Sequence, residues 1–143
     1  PSIPNNDDAN FFHTSIENVC NKHDKNYYPD FKKQCDEYFY LPHRDEPRGE
    51  GGIFFDHLNN NNFDKDFNFI HDFGEDILTT ICTIIEKRKN KSWSQNEKDI
   101  QLFKRGRYVE FNLLWDRGTL FGLKTGGSTE AILMSMPPTA KWD

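Results

Sequence analysis

Asp116 and Arg117 set an acid beside a base, and Gly118-Thr119 closes them into what reads as a tight turn. Catalytic groups are often held where a regular element ends. The stretch leading into this turn, Tyr108 to Trp115, is aromatic and branched apolar without Pro or Gly, so it predicts a β-strand. On a strand Val109, Phe111, Leu113 and Trp115 would share one face, and Tyr108, Glu110, Asn112, Leu114 and Asp116 the other. A core strand does not gather Glu, Asn and Asp on an inner face, because each buried carboxylate needs a partner. Periodicity alone favours a strand with that face simply in water. The acid–base pair on the turn is what marks a site.

A second charged stretch, His43-Arg44-Asp45-Glu46-Pro47-Arg48-Gly49-Glu50-Gly51-Gly52, is too polar and too rich in glycine to form a core. It has two readings. One is a solvated turn whose local ion pairs contribute little. The other is a carboxylate-binding loop, since guanidinium forks match carboxylates bidentately. The segment alone favours the first.

These residues need elements to position them. From about Asp8 to Lys22, Phe12, Ile16, Val19 and Cys20 fall at helical spacing. A second helix is expected from Pro29 to about Tyr38, with Phe31, Cys35 and Tyr38 inward and Leu41-Pro42 beyond its end. Ile53 to Asp56 reads as a strand, and Asn59 to Asn62 as a low-complexity turn. The longest helical signal runs from Phe63 to about Lys87, with Phe63, Phe67, Ile70, Phe73, Ile77, Ile81, Ile84 and Ile85 expected on one inward stripe and Gly74 at a bend. Ser94-Gln95-Asn96-Glu97 is a capping box opening a helix that should stop at Gly106. Short strands are expected at Leu120 to Leu123 and Ala131 to Met136, separated by the Gly126-Gly127-Ser128 turn. The pattern predicts an α+β fold, an antiparallel sheet covered by helices.

At 143 residues the chain is the size of one domain and long enough for a sizeable core. Net charge of −5 argues against a general nucleic-acid binder. No apolar run approaches the roughly 18 residues of a membrane span, and no secretory signal pattern opens the chain. Cys20, Cys35 and Cys82 are too widely spaced for a zinc site or a disulfide framework, which points to a reducing cytoplasm. The start at Pro1, without an initiator Met, is expected of a fragment.

Two long blocks carry a resemblance. One runs from Gly106 through Trp115-Asp116-Arg117-Gly118-Thr119 to Gly126-Gly127, with Glu130 to Pro138 behind it. The other joins Cys35-Asp36-Glu37-Tyr38-Phe39-Tyr40, His43-Arg44, Arg48-Gly49 and Gly51-Gly52-Ile53-Phe54-Phe55-Asp56. Together they resemble oxygen-dependent coproporphyrinogen III oxidases over nearly the whole chain. The resemblance implies a large antiparallel sheet sandwiched between helices, with residues 1–143 as the C-terminal part of a single domain. It further implies a cytoplasmic homodimer joined through about residues 108–142. The implied reaction is the oxidative decarboxylation of two propionates of coproporphyrinogen III to vinyls, giving protoporphyrinogen IX in haem biosynthesis. Molecular oxygen would be the co-substrate, with no organic cofactor.

Such a substrate carries pyrrole N–H donors inside and carboxylates outside, so it needs an anion at its centre and donors at its rim. The resemblance gives the first task to Asp116 and the catalytic neighbourhood to Asp116 and Arg117. It assigns substrate binding to Gly126, Gly127 and Ser128, the glycines allowing close backbone approach. Ser128 stands where the family usually has Arg, Glu50 where it has an apolar residue, and His57 where a second Asp is usual. The family's proton-donating histidine would lie before Pro1. Some bacterial members use a divalent metal, manganese, with ligands matching His13 and His43. The residues themselves favour ordinary hydrogen-bonded histidines, since no carboxylate or Cys stands at ligand spacing. The alternative function is a non-catalytic tetrapyrrole- or carboxylate-binding module of the same fold.

Overall fold

A computed structural model describes residues 5–142. The chain divides into two compact units. Of the described residues, the helical unit comprises 5–38 together with 50–92, and the hairpin unit comprises 39–49 together with 93–142. No helix among the described residues is long and apolar enough to cross a membrane.

In the helical unit α1 spans Asn6–His23, α2 Tyr27–Tyr38 and α3 Phe63–Arg88. Asn5 caps α1 by accepting the Asp8 amide at 3.0 Å, and Asn62 caps α3 by accepting that of Lys65 at 3.0 Å. Phe69 of α3, fully buried, is the centre of the core. The rings of Tyr27, Phe31, Phe55 and Phe73 stand 4.7 to 6.1 Å from it, and Ile16 and Cys20 of α1 complete the cluster. Burying each such side chain contributes about 1.5–3 kcal/mol. Asp8, buried on α1, takes both arms of Arg88 (2.6 and 2.9 Å) and Lys87 (3.0 Å), clasping α1 to the end of α3. Chiefly because of Arg88, its carboxyl is lowered to about 2.

The expected strand at Ile53 to Asp56 is not present, and the loop is held by aromatic contacts instead. Phe54 donates its amide to the Phe31 carbonyl (3.1 Å) and stacks on Tyr38, while Phe55 lies against Phe31. Gly51 permits this approach, since a Cβ there would sit 3.0 Å from Cys35 Sγ. The single inward stripe expected of α3 is also corrected. Phe69, Phe73 and Ile77 face the core, whereas Phe63, Phe67, Ile70, Ile81 and Ile85 are exposed. A helix with more apolar residues than one stripe can hold must turn some of them outward.

In the hairpin unit β1, Tyr40–Leu41, pairs antiparallel with β2, Glu46–Pro47, and the helices α4, Gln95–Leu114, α5, Arg117–Lys124, and α6, Thr129–Ile132, follow. The capping box is present: Ser94 Oγ accepts the Glu97 amide and Glu97 accepts that of Ser94. The helix it opens does not stop at Gly106, so the predicted strand at Tyr108 to Trp115 is instead the last turns of α4. Gly106 is buried because the carbonyl of Lys141 lies against it, and not because the helix ends. Helical spacing brings Arg107, Glu110 and Phe111 onto the hairpin, contacts that outweigh the β-propensity of the run. The strand expected at Leu120 to Leu123 is α5, because the Asp116 side chain caps a helix at that point. The last expected strand, Ala131 to Met136, is replaced by α6 and turns, with Ser128 as the cap. Among the described residues the structure is thus mostly helical, and strand pairing is confined to the two-residue hairpin.

Candidate functional site

The hairpin unit gathers its chemistry along one side of α4. Glu110 accepts both arms of Arg44, Nε at 3.0 Å and Nη2 at 2.7 Å, in a fork that a lysine could not form. His43 Nε2 lies 2.9 Å from the same carboxylate, and its Nδ1 accepts the indole N–H of Trp115 at 3.1 Å. An accepting Nδ1 places the neutral ring's proton on Nε2, so His43 donates to Glu110. The Arg44 fork first of all, then the His43 hydrogen bond and the charges of Arg44 and Arg107, holds the Glu110 carboxyl down at about 2. Glu110 is therefore a permanent anion. It is an anchor and cannot serve as a general acid near neutrality.

A turn earlier on α4, Arg107 pairs with Glu46 of β2, and Lys104 Nζ lies 3.6 Å from the same carboxylate. Arg48 lays its guanidinium over Phe39 at 4.0 Å and within 5.2 Å of Tyr108 and Phe111. Arg105 covers Tyr108 at 4.2 Å. The charged loop fits neither reading fully: its ion pairs are long-range and part-buried where a solvated turn would have local ones, and they meet carboxylates of the protein itself. Arg44 is committed to an internal carboxylate, and Arg48 rests on aromatic faces.

Asp116 and Arg117 follow at the junction of α4 and α5. Asp116 is the N-cap of α5 and accepts the Thr119 amide at 2.7 Å, with Arg117 exposed as the first helical residue. Asp116 is half-buried and adjoins Trp115, which ties the junction to His43. Gly126, at φ +74°, and Gly127 close the other end of α5. Their amides donate to the carbonyls of Leu123 (3.4 Å) and Gly122 (3.0 Å). Ser128 Oγ caps α6 by accepting the Ala131 amide at 3.4 Å. All three predicted binding residues thus serve helix ends here, and Ser128 keeps a hydroxyl proton to donate.

His13 belongs to the helical unit and His43 to the hairpin unit. His13 Nε2 meets Glu50 Oε1 at 2.7 Å, and its Nδ1 meets the Tyr28 hydroxyl at 3.1 Å. Burial, followed by the charge of Glu17, raises the Tyr28 phenol above its ordinary range. Both ring nitrogens of each histidine are therefore engaged by the protein. Among the described residues no group of three or more His, Cys, Asp or Glu could hold a metal ion, so manganese on His13 and His43 finds no support here. An open cavity of about 620 Å³ in the helical unit is lined by Phe55, Asp56, His57, Phe63, Phe67 and Ile70, among others, and by none of the predicted site residues.

Sequence reasoning missed Glu110 as an organising residue. Its signal was a single carboxylate set in an apolar run, with His43-Arg44 as an adjacent pair elsewhere in the chain.

A sequence profile of the coproporphyrinogen III oxidase family matches residues 1–143, the entire chain. The chain belongs to that family. It is 58% identical over 142 residues to the oxygen-dependent coproporphyrinogen-III oxidase of Francisella tularensis subsp. holarctica, and equally to that of Francisella philomiragia. To the protein of that name in Francisella tularensis subsp. novicida it is 57% identical over the same length. Each alignment covers 99% of this chain and 46% of the relative. The chain therefore spans about half the length of the coproporphyrinogen oxidases it matches.

Proposed function

We propose that this chain is the C-terminal part of an oxygen-dependent coproporphyrinogen III oxidase, which converts two propionates of coproporphyrinogen III to vinyls in haem biosynthesis. The observation that carries this reading is the family match across all 143 residues, with relatives of that name at 58% identity. In each step a propionate loses carbon dioxide and a hydride equivalent, and molecular oxygen takes up the two electrons. No organic cofactor is required. In the complete protein a large antiparallel sheet lies between helices, residues 1–143 are the C-terminal part of one domain, and the enzyme is a cytoplasmic homodimer joined through about residues 108–142.

Asp116 has the chemistry for the centre of the macrocycle. A half-buried carboxylate at a helix N-terminus has acceptor oxygens that can take pyrrole N–H groups. Arg117, exposed on the first turn of α5, supplies a guanidinium for a rim carboxylate. Ser128 offers one O–H to another carboxylate, Gly126 leaves open space beside it, and Gly127, packed against Ile132, contributes backbone alone. The test is Asp116→Asn in the complete enzyme. Asn caps a helix about as well as Asp, so the fold should stand. Charge-assisted hydrogen bonds contribute about 1.5–3 kcal/mol each, so kcat/KM should fall at least tenfold. Near-normal turnover by the folded variant would refute the assignment. The Arg-to-Ser departure at Ser128 favours the second reading, a tetrapyrrole- or carboxylate-binding module without turnover. That reading predicts binding of the substrate with no oxygen uptake.

A further inference from the structure

Helix α3 carries two apolar faces, and the helical unit covers only one. Phe69, Phe73 and Ile77 point into the core. At 100° per residue, Phe63, Phe67, Ile70, Leu78, Ile81 and Ile85 fall on a separate arc roughly 80° wide, centred roughly 100° away from the buried one. Those six side chains are 44–78% exposed. Gly74 lies midway along their row, and a Cβ there would meet nothing within 4 Å. Asp64, Asn68, Asp72, Glu75 and Thr79 hold the far side of the helix, while His71, in ring contact with Phe67, and Asp66, beside Phe63 and Ile70 in the wall of the open cavity, border the row.

The six residues amount to roughly 600 Å² of exposed apolar surface, as large as the largest patch on an ordinary monomer and close to one side of a standard protein interface. A row without a single charge resembles a permanent interface more than a transient one. The Francisella relatives supply the candidate occupant. The matched stretch is 46% of their length, so more than half of each relative's chain lies outside it and is long enough to cover such a face. We propose that the second face of α3 is the seat of the polypeptide that these relatives carry outside the matched stretch, as a permanent contact within one fold. This rests on family membership and not on the proposed activity, so its test involves no turnover.

The experiment reads thiol alkylation by N-ethylmaleimide. In this chain with Cys82→Ser, so that the native exposed thiol is silent, Leu78→Cys should be alkylated at nearly the rate of an unfolded peptide, while buried Cys20 and Cys35 stay slow. In the intact Francisella philomiragia relative, a cysteine at the position aligned with Leu78 should react at least 100-fold more slowly. If that cysteine prevents folding, the position aligned with Ile81 replaces it as the reporter. Rates within a few-fold of each other in the two proteins would overturn the proposal, because the face would then be open in the complete fold. A second copy as occupant is the other contrary result. In that case this chain alone would sediment as a dimer, label slowly at Leu78→Cys, and form a disulfide-linked dimer at Gly74→Cys.

Discussion

Glycine to alanine in a helix interior ordinarily stabilises a protein by about 0.5–1 kcal/mol, because it restricts the unfolded backbone. Two glycines of this chain should respond with opposite signs. Gly74 of α3 has nothing within 4 Å of the site of a Cβ, so Gly74→Ala should deliver the ordinary gain. Gly106 of α4 is covered by the Lys141 carbonyl, and Trp142 ring atoms would stand 3.4 Å from the added methyl group. The obstacle is backbone and cannot swing aside as a flexible side chain would. It is also pinned, since the Lys141 amide donates to the Leu102 carbonyl at 3.1 Å and Lys141 Nζ pairs with Asp99 at 2.6 Å. Overpacking costs about 1–3 kcal/mol, and losing the Lys141–Leu102 bond adds about 0.5–1.5 kcal/mol. Against a helix gain near 1 kcal/mol, Gly106→Ala should come out destabilising by about 1–3 kcal/mol. Urea titration followed by circular dichroism at 222 nm reads both variants. The midpoint should rise for Gly74→Ala and fall for Gly106→Ala, with slopes unchanged. A gain at both positions would refute the placement of the C-terminal segment on α4, and with it the reason Gly106 is buried.

Other outcomes follow from the same contacts. Asp8 and Glu110 are both held at about 2, below ordinary values of 3.8 and 4.5, so each contributes stability above its unfolded pKa that is lost as pH falls toward 2. Melting temperature should hold steady from pH 7 to about 5 and drop below that, and Asp8→Asn should flatten the drop. A melting temperature unchanged down to pH 2.5 would contradict both ion pairs. In the complete enzyme Ser128→Arg should lower KM for coproporphyrinogen with kcat little changed, because a rim contact acts in ground and transition states alike. An unaltered or higher KM would remove this loop from the substrate site. Chelator treatment should leave that enzyme's activity intact. Loss restored specifically by manganese, and abolished by His43→Ala, would show that His43 exchanges Glu110 and Trp115 for a metal. Sedimentation of the complete protein at micromolar concentration should give a dimer, and a monomer would count against the 108–142 interface.

The sequence by itself determined the family, the three helices of the helical unit, and the start of α4 at its capping box. Each of these is written in local spacing or in long contiguous blocks, so no knowledge of distant residues was needed. It also singled out Asp116, although as the end of a strand and not as the cap of a helix. Tertiary structure decided what local spacing leaves open. The run Tyr108 to Trp115 carries two apolar periods at once: Val109, Phe111, Leu113 and Trp115 alternate as on a strand, while Tyr108, Phe111 and Trp115 repeat as on a helix. Which period prevails depends on Arg44, Glu46 and Phe39, some sixty residues earlier, meeting Glu110, Arg107 and Phe111. The inward side of α3 was equally open, because apolar residues cover about half its circumference and only the positions of α1, α2 and the Phe55 loop select Phe69 over Phe67. In both cases the physical reason is the same. Propensity and periodicity act over a few residues, whereas the burial of a ring or the pairing of a carboxylate is settled by partners that the fold brings from far along the chain.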